Sequence, residues 1–409
     1  MSMNDAPRSV RLHIGFFGCR NAGKSSLVNA LTSQQMSVVS DVPGTTTDPV
    51  SRSMEILPAG PVVITDTPGY DDEGSLGTRR VSRTKEILRR TDLAVLVVDE
   101  PRGLAKADEE LLGLFREARI PCILVWNKTD LIPQELRSRT IGDPLIREIH
   151  VSAVTGENIP SLRELIGQTA RRRQDDGERP LAGDLVHPLD LVILVIPIDE
   201  SAPKGRLILP QQQVLRDLLD HGAQVLCVRE NELESALGSL QGRCSLVITD
   251  SQAFGHVSRV VPDEIPMPSF SILMARYKGV LLQQLEGVKA LRTIRDGDRI
   301  LIAEGCTHHR QCGDIGTVKL PRWIREYTGK NPVIETSSGL SFPEDLTPYR
   351  VIIHCGSCML NEREVQARNA QAFSKGIPIT NYGMVIAMVH GILDRALRPV
   401  PECGNLRKH

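Results

Sequence analysis

Residues 12–25 read Leu12-His-Ile-Gly-Phe-Phe-Gly18-Cys-Arg-Asn21-Ala22-Gly23-Lys24-Ser25. A short apolar run ends in a glycine-bounded loop, and the apolar spacing from Lys24 to Leu31 is that of a helix. The pattern is strand, phosphate-binding loop, helix. Glycines let backbone N–H groups curl around a β-phosphate, and the helix N-terminus adds partial positive charge. Lys24 is expected to bridge the β- and γ-phosphates, Ser25 to give its hydroxyl to Mg2+, and Ser26 to continue the loop into the helix.

Four further segments fall into place around this loop. Asp66-Thr-Pro-Gly69 follows the next strong strand and sets a carboxylate near the metal and a glycine amide near the γ-phosphate. Asn127-Lys128-Thr-Asp130 follows the strand candidate Ile123–Trp126. There Asp130 can accept two hydrogen bonds from guanine, a pattern adenine cannot supply, and a site built on such a pair penalises the wrong base. Ser152-Ala153 ends another strand and offers a backbone amide to guanine O6. Gly44-Thr-Thr46-Thr47-Asp48 lies where a threonine must reach Mg2+.

With these elements in this order, the first ~170 residues resemble the translation-factor-like GTPases, nearest to the TrmE/MnmE branch. Asn21 inside the loop and the Gly-Thr-Thr-x-Asp stretch carry that subgrouping. The resemblance implies that Asn21 holds a K+ ion standing in for an arginine finger, and that Thr46 is the Mg2+ ligand. The chain departs from the branch at Thr47, where arginine is usual. Tyr70 follows Gly69, so no water-orienting glutamine stands there and slow intrinsic hydrolysis is expected.

The rest of the chain keeps the same rhythm. Strand candidates at Val62–Thr65, Leu93–Val98, Leu191–Ile196, Gln224–Val228, Leu246–Thr249, Ile300–Ala303, Val351–Ile353 and Ile377–Thr380 are mostly β-branched and unalternating. Such runs suit strands buried on both faces. Helix candidates include Arg80–Arg89, Val214–Leu219, Glu362–Phe373 and Val385–Arg395. Alternation of this kind argues for parallel, doubly wound sheets. Ala170–Pro188 is charged, with two prolines and two glycines, and reads as a linker. A second boundary falls near Tyr277–Asp296. The 409 residues suit two or three domains.

Lys and Arg number 49 against 50 acidic residues, which excludes nucleic-acid or membrane binding through bulk positive charge. Aromatics at 3% argue against stacking platforms for single strands. The apolar run Leu189–Ile198 is about half a membrane span. The polar start MSMNDAPRSVRLHIGFFG, with only a short apolar run, is not expected to act as a signal peptide. A cytoplasmic protein with reduced thiols is the expectation.

Of nine cysteines, Cys19, Cys122, Cys227, Cys244 and Cys403 stand apart from other cysteines and histidines and read as buried or inert. The C-terminal third carries Cys306-Thr-His308-His309, with Cys312 close by, and then His354-Cys355-Gly-Ser-Cys358. Both segments follow strand candidates, and the carboxyl ends of parallel strands form the crevice where ligands bind. Cys306, Cys355 and Cys358 could therefore meet at one edge. Zinc would take Cys306, His308, Cys355 and Cys358 tetrahedrally. Three thiolates would equally hold an iron–sulfur cluster with one iron left for histidine or an exchangeable group. Spacing leaves both open, and also whether His308 or His354 caps that iron.

This pattern, downstream of a TrmE-like GTPase domain, resembles the HydF family of [FeFe]-hydrogenase maturation GTPases. LPQQQVLRDLLD at 209–220, VITDSQAF at 247–254, SFSILMARYKG at 269–279 and LIAEGCTHH at 301–309 extend the likeness across the chain. It implies an α/β chain: a P-loop GTPase domain at 1–172, a linker at 173–187, then two further α/β domains with mainly parallel sheets. These are a dimerisation domain at 188–279 and a cluster-binding domain at 280–409. It also implies a [4Fe-4S] cluster on Cys306, Cys355 and Cys358 with an exchangeable fourth site, and Cys312 outside the ligand set. The implied role is a scaffold that receives a diiron precursor made with two radical-SAM maturases and delivers it to apo-[FeFe]-hydrogenase. The protein would be a homodimer or higher oligomer, without nucleic-acid or membrane partners. The rival reading is a tRNA-modification or ribosome-associated GTPase whose cysteines hold structural zinc.

Overall fold

The computed structural model describes residues 8–32, 50–67, 75–133, 140–143, 146–175, 179–198, 207–305, 314–339 and 341–408. The chain divides into two compact units, Met1–Glu178 and Arg179–His409.

The first unit runs β1 (Leu12–Phe17), α1 (Lys24–Thr32), β2 (Val50–Ile56), β3 (Gly60–Asp66), α2 (Ser75–Arg90), β4 (Leu93–Asp99), α3 (Lys106–Glu117), β5 (Cys122–Asn127), β6 (Arg147–Val151) and α4 (Ile159–Asp175). Its sheet has the order β2-β3-β1-β4-β5-β6, parallel except for β2 on β3. The central strands are apolar throughout because both faces are covered. Ile14, Phe16, Val95, Val97, Ile123 and Val125 pack on one side. Phe17, Leu96, Val98, Leu124 and Trp126 pack on the other. Sequence patterning overlooked β2, which reads Val-Ser-Arg-Ser-Met-Glu-Ile: it is an edge strand, and buries Met54 and Ile56 in alternation.

The second unit runs β7 (Leu191–Val195), α5 (Leu209–Asp220), β8 (Gln224–Val228), α6 (Leu233–Ser239), β9 (Cys244–Thr249), α7 (Phe254–Val260), α8 (Phe270–Tyr277) and α9 (Leu281–Val288). It continues with β10 (Arg299–Ala303), α10 (Leu320–Thr328), β11 (Val333–Ser337), β12 (Val351–His354), α11 (Glu362–Ser374), β13 (Ile379–Asn381), α12 (Tyr382–Val389) and α13 (Leu393–Leu397). Two parallel sheets result, β8-β7-β9 and β11-β10-β12-β13. They share one core, in which Ile193 and Val247 of the first join Ile300, Ile302 and Ile353 of the second.

Three expectations are corrected. The linker expected at 173–187 is shorter: α4 continues to Asp175, and Leu181, Ala182 and Val186 are buried in the second unit beside Leu194. The helix expected over Val385–Arg395 is two helices, because Gly391 turns left-handed (φ 70°) between α12 and α13. The last strand starts at Ile379 rather than Ile377.

Candidate functional site

The nucleotide loop lies at the carboxyl end of β1, between β3 and β4 in the sheet. Gly18 has φ 137°, and a Cβ there would stand 2.2 Å from the Val97 carbonyl oxygen; Gly23 has φ 89°, and its Cβ would meet Asn127 Nδ2 at 2.3 Å. Only glycine fits either place. Lys24, 8% exposed, donates through Nζ to the carbonyls of Gly18 (3.0 Å) and Cys19 (2.8 Å). Asn21 is exposed and left-handed (φ 62°), Ala22 is buried, and Ser25 and Ser26 are exposed.

Ser25 Oγ donates to Asp66 Oδ2 at 2.6 Å. Asp66 Oδ1 is buried without a hydrogen-bond partner among the described residues. A hydroxyl and an orphaned carboxylate oxygen side by side suit Mg2+, which favours hard oxygen ligands. Asn127, buried at the end of β5, ties the base loop to the phosphate loop: Nδ2 donates to the Ala22 carbonyl at 2.9 Å, and Oδ1 accepts from Ala153 N at 3.2 Å. Ser152 Oγ donates to Asp130 Oδ1 at 2.5 Å, which aims the exposed Asp130 carboxylate. Lys128, left-handed at φ 69°, pairs with Asp99 at 2.6 Å. Cys19 places its thiol 3.4 Å from Asp108 Oδ1. Sequence reasoning gave that sulfur no partner, because Asp108 lies far along the chain in α3. Thr46 and Gly69 lie outside the described residues.

The second cluster is built on the carboxyl edge of β10 and β12, paired so that Ala303 faces His354. Cys355 N donates to the Ala303 carbonyl at 2.9 Å. Cys355 Sγ accepts from Gly305 N at 3.0 Å and Ser357 N at 3.4 Å. Amide donors aimed at a sulfur favour its thiolate. Cys358, half-buried, is raised by burial and by the Cys355 thiol, and drawn back by Lys278. Cys306 and His308 lie outside the described residues, as does Cys312; Gly305, the chain neighbour of Cys306, is bonded to the Cys355 sulfur. No group of three His, Cys, Asp or Glu poised for a metal occurs among the described residues. The described donors, a C-x-x-C pair with amides on one sulfur, suit a soft, thiolate-held metal group.

His354 is 1% exposed, and both its nitrogens are held by protein. Nε2 meets Arg368 Nη1 at 3.0 Å, and guanidinium can only donate, so Nε2 accepts and the proton sits on Nδ1. Nδ1 then donates to Ser357 Oγ at 2.9 Å. For His354 to hold iron, one of these bonds must break. Arg368, fully buried, also binds Glu364 at 2.8 Å and the Gly339 carbonyl at 3.0 Å. Nothing in the local sequence singled out Lys278, which comes from an element remote from the cysteine motif, or Arg368, which lies on the helix that follows the motif. Among the other cysteines, burial pushes the Cys122 thiol up to about 12 and raises Cys244, while Cys227 is exposed on β8.

Comparison with known proteins separates the two units. Residues 13–128 match the 50S ribosome-binding GTPase family. GTPase Der of Wolinella succinogenes is 37% identical over 174 residues, covering 40% of this chain and 36% of that protein. The tRNA modification GTPase MnmE of Nitrosomonas europaea is 36% identical over 156 residues, covering 37% and 33%. The chain thus spans about a third of the length of these curated relatives. Among solved structures, Aquifex aeolicus Era bound to GDP.AlF4- shares 20% identity at a TM-score of 0.31, over 53% of this chain and 92% of that one. No helix among the described residues is long and apolar enough to cross a membrane. The second unit matches other families: residues 181–279 the hydrogen maturase F dimerization domain and 282–399 the hydrogen maturase F tetramerization domain. A GTPase domain followed by both of these domains makes the chain a member of the hydrogen maturase F (HydF) family.

Proposed function

We propose that the protein is a GTP-hydrolysing iron–sulfur scaffold of hydrogenase maturation, which receives the diiron precursor of the [FeFe]-hydrogenase active site and hands it to the apo-enzyme. Two radical-SAM maturases supply that cargo, and the work is cytoplasmic. The observation that carries this reading is the Gly305 N–H on Cys355 Sγ, 3.0 Å long. It draws the residue beside Cys306 onto the C-x-x-C loop, in a chain that also holds a GTPase domain. Cys306, Cys355 and Cys358 would hold a [4Fe-4S] cluster, which supplies an iron with an exchangeable coordination position. His354, held on both sides, orients the loop, and His308 remains the candidate for the fourth position.

In the nucleotide site Lys24 would exchange the Gly18 and Cys19 carbonyls for phosphate oxygens. Ser25, Thr46 and Asp66 would hold Mg2+, and the Gly69 amide would face the γ-phosphate. Asp130 would read guanine, with the Ser152-Ala153 loop beside it. Asn21 would ligate K+, supplying charge where an arginine finger would act. Equal hydrolysis rates in KCl and NaCl at one ionic strength would remove that ligand.

The chain self-associates as a homodimer or a higher oligomer. Strand β8 supports this, being an edge strand whose Leu226 and Cys227 are exposed, a surface that soluble proteins rarely leave uncovered. Light scattering that returns a monomer would refute it.

The deciding experiment is anaerobic reconstitution with ferrous iron and sulfide, followed by EPR of the reduced protein. A cubane signal is expected, and its loss in Cys355→Ser. Stoichiometric zinc without iron would instead favour a structural site in a tRNA-modification or ribosome-associated GTPase.

A further inference from the structure

Lys278 closes α8 as its C-cap and is 4% exposed. Its Nζ donates to the carbonyls of Ser357 and Leu360, the second at 2.7 Å. Those carbonyls flank Cys358 in the chain. Among the described residues no carboxylate forms an ion pair with it. Glu362 reaches it only through its field, and is itself paired with Arg179 at 2.6 Å. The lysine is thus an ammonium enclosed by neutral oxygens.

Such a group is expensive, because an ion taken out of water loses its hydration. Burial accordingly pushes the amine down to about 8. The groups that pull the other way are, in order, Cys358, Cys355 and Glu362. A loop that needed only its carbonyls satisfied could use an uncharged donor and avoid the desolvation. A cation here is useful where negative charge collects above it, and the two thiols are where that charge would sit.

The geometry points to Lys278 as the counter-ion of the metal group held on Cys355 and Cys358: a positioning residue that fixes the Ser357–Leu360 backbone and sets a positive charge beneath the thiolates. This rests on the cluster reading given above. A thiolate-held iron–sulfur centre is anionic and gains negative charge on reduction, and its potential follows the surrounding charge and hydrogen bonds. The ammonium therefore favours the reduced form and raises the affinity of the loop for the anionic group.

The test uses the full chain with Lys278→Gln, which keeps a donor but no charge, and Lys278→Met, which keeps neither. Iron per chain, the midpoint potential from an EPR-monitored redox titration, and melting of the cluster-free protein are measured. Cluster-free melting close to wild type is expected, since the desolvation cost leaves with the charge. Both variants should show a potential shifted to more negative values, and Lys278→Met a further loss of iron. A fully loaded Lys278→Gln with the wild-type potential would overturn the counter-ion role. Collapse of both cluster-free variants would also overturn it, making Lys278 a strut. Failure of the cluster reading itself shows earlier and separately, as wild-type protein that takes up no iron.

Discussion

The loops after β1 and after β12 are built to one plan and finished differently. Each leaves the carboxyl end of a parallel strand and enters a helix, and each has a lysine ammonium donating to two of its own carbonyls. In the first the cation is Lys24, on Gly18 and Cys19. In the second it is Lys278, on Ser357 and Leu360. The helices differ. The first turn of α1 has no acidic residue, leaving its N–H groups and positive end for an incoming anion. The first turn of α11 is closed by Asn361, which accepts from Glu364 N at 3.1 Å, and carries Glu362 and Glu364. One loop is open along its helix axis to phosphate. The other is shut there and presents sulfur.

If the first loop is a guanine-nucleotide site, its strongest dependence is on the base contact. Asp130→Asn removes the carboxylate that would accept from guanine, at about 1.5–3 kcal/mol per charged hydrogen bond. Loss of two such bonds predicts GTP binding weaker by about a hundredfold to ten-thousandfold. Xanthosine nucleotides, with the complementary pattern, should regain most of it. Calorimetric titration with GTP and XTP measures both. Unchanged GTP affinity would break the comparison at its first term.

The difference between the loops also explains what could be read in advance. The phosphate loop is legible because nearly every part of it, cation included, lies within a few residues of Gly18. Asp66, Asn127 and Asp130 follow strands whose apolar runs mark their ends. The cysteine loop reveals its sulfurs by spacing, while two of its supports come from afar, Lys278 from α8 and Gly305 from the end of β10, and the third, Arg368, sits on its own helix α11 with nothing local to mark it as buried. A lysine ending a helix reads as a solvated cap until the fold buries it. Two edge strands hid for a related reason. In β2 and β11 at most one face is covered, so Val-Ser-Arg-Ser-Met-Glu-Ile and Val-Ile-Glu-Thr-Ser carry no continuous apolar run.

The second loop should depend on its buried side-chain support more than the first does. Arg368 holds Glu364 and His354 together in a buried network, and its guanidinium lies 4.9 Å from the centre of the Phe342 ring. Arg368→Met leaves the Glu364 carboxylate, 4% exposed, without this partner. Breaking a buried pair by removing one member costs about 3–5 kcal/mol. Denaturant unfolding should show that loss in the second unit, with GTP affinity unchanged. A variant as stable as wild type would mean that the His354–Arg368–Glu364 chain does not hold the cysteine loop.

The smallest effect expected falls on the closed helix end itself. Asn361→Ala removes the side-chain acceptor of Glu364 N, and loss of such a cap costs about 1 kcal/mol. For a unit of this size that is about 2–4 °C in melting temperature. Nucleotide binding identifies which transition is which, because GTP raises the stability only of the unit that binds it. The shift should appear in the transition that GTP leaves unmoved. The capping residue also follows Leu360, whose carbonyl holds Lys278, so a frayed first turn of α11 loosens one of the two oxygens on that ammonium. Iron content should then fall slightly in Asn361→Ala, and far less than in Lys278→Met. An equal fall in the two variants would mean that the helix end, rather than the buried cation, governs metal retention, and the parallel between the two lysines would be a likeness of shape alone.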